Sequence, residues 1–301
     1  MRTNSEGRHL WRVNSFTDVA FRGNPAGVVP DAEGLSELTM QAIAAELNDV
    51  SETVFITADP EGEADIRLRY FTSTMEVDLC GHATIGALFV LHWMGRLTGR
   101  DEVRTVRART AVGVLELELE YSGKQLAWAT MEQLAPETRA APGADRAAEV
   151  LGLPPDALHP GMPIGCCSTG IWACFVPLRD AEALSQVDIR PALIQALWPD
   201  NPELTGVYPF AFLSPLETTG RFFSPPKYGI FEDPVTGTAC GALGGFLAAQ
   251  ERLRVAQELL AHQGVDMGRA GKVRVRHSVS GRMKISGQAT PIFRGQLLAP
   301  E

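Results

Sequence analysis

The chain has 301 residues, 45% hydrophobic and 21% charged, with a formal net charge of −9. That balance fits a globular protein of one large or two medium domains and argues against a broad surface for nucleic acid or anionic membrane. No run nears the roughly 18 apolar residues of a membrane helix, and the N-terminal stretch Met1-Arg-Thr-Asn-Ser-Glu-Gly-Arg-His9 lacks the apolar core of a signal peptide, so a cytoplasmic protein is expected. Five cysteines, an odd number, fit free thiols better than a disulfide framework. With no CxxC or HExxH motif, no metal site is expected.

Leu10 to Phe16 alternates and reads as a first strand. Gly23-Asn-Pro-Ala-Gly27 reads as a turn, after which Val28 and Val29 open the next strand. From Ser36 to Leu47, Met40, Ile43 and Leu47 recur at helical spacing. Asn48 to Ile56 is a loop feeding a strand, with Glu52 at the boundary. A glutamate there is ordinarily a solvated loop carboxylate. Beside Val54, Phe55 and Ile56, it also stands where desolvation turns a carboxylate into a base.

Ile66 to Phe71 alternates as a strand, and an apolar helix follows Cys80 as far as Gly95. Val103 to Tyr121 holds two alternating segments, of which 112–120 is the strongest strand signal in the chain. Ser122-Gly-Lys124 turns it toward a hairpin partner at Leu126–Met131, and Val112 to Leu119 has the look of an edge able to pair across a homodimer. Thr138 to Ala144 reads as a linker or surface loop, and Arg146 to Leu151 as a short helix. The stretch 163–177 suggests a loop and then a buried strand. Ala181 to Leu197 reads as a helix interrupted by Pro191, and Val207 to Leu213 as a strand. Leu260–Gly264 and Met267–Gly271 read as a Gly-rich loop, in which Arg269 either holds a carboxylate or caps a strand. Val273–Arg276, Met283–Ser286 and the region of Ile292 are expected strands.

Phe231 to Leu247 is a turn running into a helix of small and apolar residues, with Thr236 or Thr238 as N-cap. The stretch has an echo. Arg67 to Ser73 leads to Glu76, Asp78, Cys80-Gly81 and a helix; Arg221 to Pro225 leads to Glu232, Asp233, Cys240-Gly241 and a helix. Strand, acidic turn, Cys-Gly and helix recur at a spacing of about half the chain, which indicates two similar halves.

Four motifs in order, Phe16-Thr-Asp-Val-Ala-Phe-Arg-Gly-Asn-Pro-Ala-Gly-Val28, Leu47-Asn-Asp-Val-Ser-Glu-Thr-Val-Phe55, Asp78-Leu-Cys-Gly-His-Ala-Thr-Ile-Gly86 and Glu232-Asp-Pro-Val-Thr-Gly237, resemble the phenazine biosynthesis (PhzF-like) isomerases, which share the diaminopimelate epimerase fold. The resemblance implies an α+β protein of two pseudo-symmetric domains, each a mixed sheet wrapped around a central helix, with the active site in the cleft between them. Placed on this chain, the domains are 1–121 plus 292–301 and 122–291. By the same resemblance Glu52 is the acid/base, and His82, Asp233 and Thr238 are polar partners of a small carboxylate substrate. Ser51, beside Glu52, joins the binding residues, and the N–H groups of Gly81 and Gly237 hold the substrate carboxylate. No cofactor is implied.

One departure opens an alternative. Cys240, where many members carry Asn or His, matches one catalytic thiol of the diaminopimelate epimerases, and Cys80 matches the other. Two thiols at facing helix starts, their pKa values lowered there, would make a two-base amino-acid racemase. Against this, free cysteine commonly packs as a small hydrophobe. A binding protein with a vestigial site is the non-enzyme alternative; intact Glu52, His82 and Asp233 argue against it.

Overall fold

In the computed structural model, residues 8–141, 143–190, 193–194, 203–225 and 231–298 are described. The chain forms two compact units, residues 1–131 with 287–301, and residues 132–286. The first break falls after Met131 rather than after Tyr121, because Leu126–Met131 pairs with the strand before it.

The first unit contains β1 (Arg8–Ser15), β2 (Asn24–Val29), α1 (Glu37–Glu46), β3 (Glu52–Thr57), β4 (Ile66–Phe71), β5 (Glu76–Val77), α2 (Gly81–Trp93), β6 (Val103–Thr110), β7 (Gly113–Ser122) and β8 (Gln125–Glu132). The second contains β9 (Glu137–Arg139), α3 (Ala144–Leu151), β10 (Gly165–Ser168), β11 (Trp172–Pro177), α4 (Ala181–Ser185), β12 (Leu204–Ser214), β13 (Glu217–Gly220), β14 (Phe222–Phe223), β15 (Glu232–Asp233), α5 (Gly237–Ala249), β16 (Glu258–Gln263), β17 (Gly271–His277) and β18 (Met283–Gly287). The chain then returns to the first unit as β19 (Ala289–Leu297).

The strand order repeats. In the first unit it is β19-β1-β2-β3-β4-β6-β7-β8, with β2–β3 and β4–β6 parallel and the other pairs antiparallel. In the second it is β9-β10-β11-β12-β13-β16-β17-β18, with β11–β12 and β13–β16 parallel and the other pairs antiparallel. A two-residue strand precedes each central helix, and α2 and α5 are both 13 residues long. The internal echo in the sequence is therefore a repeat of topology.

Each central helix is apolar on every face, so it has no side to offer to water. In α2 every residue from Ala83 to Leu91 is buried, and in α5 so is every residue from Ala239 to Leu247. Glycines let neighbours come close: a Cβ on Gly86 would lie 2.7 Å from a Val13 methyl, and one on Gly241 would collide with Gln133 Oε1. Ser36 caps α1 by accepting from the Thr39 N–H, and Met40, Ile43 and Ala44 pack with Val29, Phe55 and Phe71 in a satellite core.

Several expectations are corrected. Asn24 to Gly27 is not a turn but the start of β2, hydrogen-bonded between β1 and β3; the chain reverses earlier, where Phe16 and Phe21 adopt positive φ. Strand β7 is no edge, because β6 and β8 flank it, which removes the basis for pairing across a dimer there. Thr138 and Arg139 belong to β9, paired with β10, rather than to a linker. His262 and Gln263 lie in β16, not in the Gly-rich loop. The helix expected from Ala181 closes at Ser185; its remainder includes residues 191–192 and 195–197, which lie outside the described residues. Among the described residues, no helix is long and apolar enough to cross a membrane.

Candidate active site

Three side chains converge in the first unit. Glu52 opens β3, with Val54, Phe55 and Ile56 buried after it. His82 is the second residue of α2, and Cys80 takes the N-cap position in an extended conformation. His82 Nε2 lies 3.3 Å from Glu52 Oε2, with the two side chains only 10% and 20% exposed. Cys80 Sγ lies 3.3 Å from His82 Nδ1, and Ser51 Oγ lies 3.2 Å from Nε2. Glu52 Oε2 is shut from solvent and makes no hydrogen bond among the described residues. A carboxylate oxygen beside imidazole, dry and without a committed donor, is poised to take or give a proton.

Two contacts hold this group in place. The Ser15 hydroxyl donates to the His82 carbonyl at 2.6 Å, tying the start of α2 to β1. The Thr84 hydroxyl donates to the Cys80 carbonyl at 2.8 Å. Gly81 is the first helical residue, and its N–H is one of the donors that no intrahelical carbonyl reaches. Such a start favours an anion.

The second unit arranges its residues differently. Asp233 ends β15 and accepts a hydrogen bond from the Thr236 hydroxyl. Thr236 takes the N-cap position, but its side chain turns to Asp233 and leaves the helix start uncapped. Gly237 and Thr238 are the first two helical residues, so Gly237 answers to Gly81 and Thr238 to His82. The Thr169 hydroxyl donates to the Thr238 carbonyl at 3.2 Å and to Gln133 Oε1 at 2.7 Å.

Cys240 departs from expectation. The sequence echo set it beside Cys80, but Cys80 precedes its helix while Cys240 is the fourth residue of α5. Its N–H is already bonded to the Thr236 carbonyl at 2.9 Å. The residue of α2 at the same step is Thr84, which meets the Tyr70 hydroxyl at 2.7 Å, as Cys240 Sγ meets the Tyr208 hydroxyl at 3.6 Å. Cys240 is fully buried. Burial pushes its thiol up, the nearby Asp233 charge adds to the rise, and the Tyr208 hydrogen bond offsets only part, leaving it at about 12. The expected lowering by the helix start is absent, because one turn into the helix desolvation outweighs the dipole.

Gln263 was missed. Its side chain is wholly buried, accepting from the Thr236 N–H at 3.2 Å and the Cys240 thiol at 3.7 Å. It donates to the Asp233 carbonyl at 2.8 Å and to the Thr236 hydroxyl at 3.2 Å. One amide thus fixes the turn from Asp233 into α5. Its signal was present: Leu259, Ala261 and Gln263 share the buried phase of β16, and a polar residue on that phase needs partners.

Comparison with known proteins fits this geometry. Residues 13–295 match the phenazine biosynthesis-like protein family, PhzC-PhzF. An uncharacterized isomerase of Deinococcus radiodurans is 39% identical over 285 residues, 89% of this chain and 86% of that protein. The trans-2,3-dihydro-3-hydroxyanthranilate isomerase of Pseudomonas chlororaphis is 29% identical over 96% of this chain and 99% of its own. The crystal structure of a PhzF-family protein from Bacillus anthracis superimposes with a TM-score of 0.86 at 30% identity, covering 98% of this chain and 100% of that one. A probable proline racemase of Agrobacterium radiobacter shares the fold alone, with a TM-score of 0.65 at 13% identity over 97% of this chain and 93% of that one. By its sequence over almost its full length and by its fold, this chain belongs to the phenazine biosynthesis-like (PhzF) family and is an isomerase of the α+β, diaminopimelate epimerase-like architecture.

Proposed function

We propose that this isomerase moves a proton within a small carboxylate-bearing metabolite, with Glu52 as acid and base and no cofactor. The observation that carries the reading is the dry Glu52 Oε2 lying 3.3 Å from His82 Nε2 at the start of α2. The Glu52 carboxylate takes a proton from a carbon of a conjugated acid, and the electron pair shifts along the double bonds. The protonated Glu52 then returns the proton to another carbon. Product and substrate differ only in the positions of one hydrogen and the double bonds. The Gly81 N–H and His82 meet the negative charge that develops on the substrate. The name of the Pseudomonas chlororaphis relative supports a substrate of this class, a dihydro acid of an anthranilate ring. The rival two-thiol racemase draws less support, because Cys240 is fully buried with its thiol at about 12.

The test is proton exchange in heavy water with a panel of dihydro aromatic acids and free amino acids, followed by mass, absorbance and optical rotation. The expected result is deuterium uptake with a shifted double bond, lost in Glu52→Gln and kept in Cys240→Ala. Racemisation of an amino acid that survives Glu52→Gln and dies with Cys240→Ala would overturn the reading.

A further inference from the structure

The Glu52, Cys80 and His82 cluster has a property that proton transfer does not use. It offers a carboxylate oxygen, a thiol sulfur and an imidazole nitrogen, all within 4.8 Å of one another. We propose that these three side chains form a binding site for a thiophilic divalent cation, zinc above all, and that metal capture there switches the isomerase off. The inhibition rests on Glu52 being the acid/base; the binding does not.

The donors are close enough to share one ion after the imidazole reorients. Bond lengths of about 2.0–2.2 Å to nitrogen and oxygen and about 2.3 Å to sulfur set ligand-to-ligand separations of roughly 3.4 Å for N···O and roughly 3.6 Å for N···S. His82 Nε2 and Glu52 Oε2 are 3.3 Å apart. His82 Nε2 and Cys80 Sγ are 3.9 Å apart with the sulfur nearer Nδ1, so the imidazole must swing its Nε2 toward the sulfur for both to bind one ion. With the ring proton on Nδ1, the reoriented imidazole presents the Nε2 lone pair to the metal.

Donor chemistry selects the ion. A thiolate with an imidazole suits zinc and its neighbours, and disfavours magnesium and calcium, which want oxygen ligands. Carboxylate and thiolate together balance the two positive charges, which outweighs the partial positive charge of the α2 start. Binding releases the Cys80 thiol proton to solvent as the metal–sulfur bond forms. It also consumes the Glu52 lone pair that the proton needs. Three protein ligands leave a fourth position for water, so the captured metal stays exchangeable with a chelator.

The test uses the full chain with cobalt(II) and zinc chloride as the probes. Cobalt(II) is expected to give a thiolate charge-transfer band in the near ultraviolet and visible bands of tetrahedral coordination. Those bands should vanish in Cys80→Ser, and metal affinity should fall by at least about tenfold in Glu52→Gln and in His82→Gln. Zinc should displace the cobalt and suppress turnover, with activity restored by chelation. Thermal melting of each variant checks that it is folded. Absence of the bands in wild-type protein, or their persistence in folded Cys80→Ser, overturns the site, whatever the activity of Glu52→Gln. If the bands appear as expected but Glu52→Gln still turns over, binding is supported and the inhibition falls together with the Glu52 reading.

Discussion

The Cys240 sulfur lies 3.6 Å from the Tyr208 hydroxyl, and neither side chain touches solvent. Burial pushes both groups up, Cys240 to about 12 and Tyr208 well above its ordinary value, so the pair stays neutral. In native protein at pH 8, a thiol reagent such as iodoacetamide is therefore expected to leave Cys240 unmodified. Peptide mapping after brief labelling reads this out directly. Rapid modification of native Cys240 would return the thiol to the catalytic candidates.

The same burial predicts an alkaline weakness. An unfolded thiol ionises near pH 8.5, well below the folded Cys240 and Cys167, both at about 12. The unfolded chain therefore loses its protons first as pH rises. The stabilisation is complete below about pH 8.5 and is lost as pH climbs toward the folded value. Urea midpoints should fall between pH 8 and pH 10, and Cys240→Ala should reduce that slope.

An acid weakness is expected in the first unit. Burial alone would raise the Asp59 carboxyl, but hydrogen bonds from Arg109 and from the Ala64, Glu63 and Glu61 amides outweigh it and hold the group at about 2. Its folded value lies below that of the unfolded chain, so its contribution is whole above about pH 4 and is lost as pH falls toward 2. Asp59→Asn should lower stability at neutral pH and flatten the loss in that window, measured as thermal midpoints from pH 5 to pH 2.

Gln263→Leu tests the turn into α5. The Thr236 N–H and the Asp233 carbonyl each lose a buried partner. The expected loss is about 3 kcal/mol of unfolding free energy, read by urea titration. A loss under about 1 kcal/mol would mean that the turn holds itself.

His82 and Ser51 separate charge stabilisation from positioning. His82→Gln should lower kcat by about 100-fold or more, the range of a lost charge-stabilising donor. Ser51→Ala removes one neutral hydrogen bond to the imidazole, worth about 1 kcal/mol or roughly a fivefold effect. Steady-state rates on the substrate found by the exchange panel compare the two.

What the sequence by itself determined is whatever depends on local order. Alternation marked β1, β4, β7 and β8, because a half-buried strand repeats every two residues. The all-apolar runs marked α2 and α5 as central helices, and the duplicated strand, acidic turn and helix foretold a repeat of topology. Glu52 and His82 were named from motifs 30 residues apart, and they meet in space. Tertiary structure decided the rest. Strand β7 looked like an edge because its hairpin partner β8 can be read from the turn between them, whereas its pairing with β6 on the other side cannot. Pro25 and its glycines hid β2, whose hydrogen bonds to β1 and β3 leave no mark in its own residue pattern. The largest difference between the halves is at Cys240. A Cys-Gly pair reads alike in both halves, yet the helix begins after Cys80 and three residues before Cys240. That offset of one helical turn separates a thiol beside His82 from one sealed against Tyr208, and desolvation then sets its chemistry.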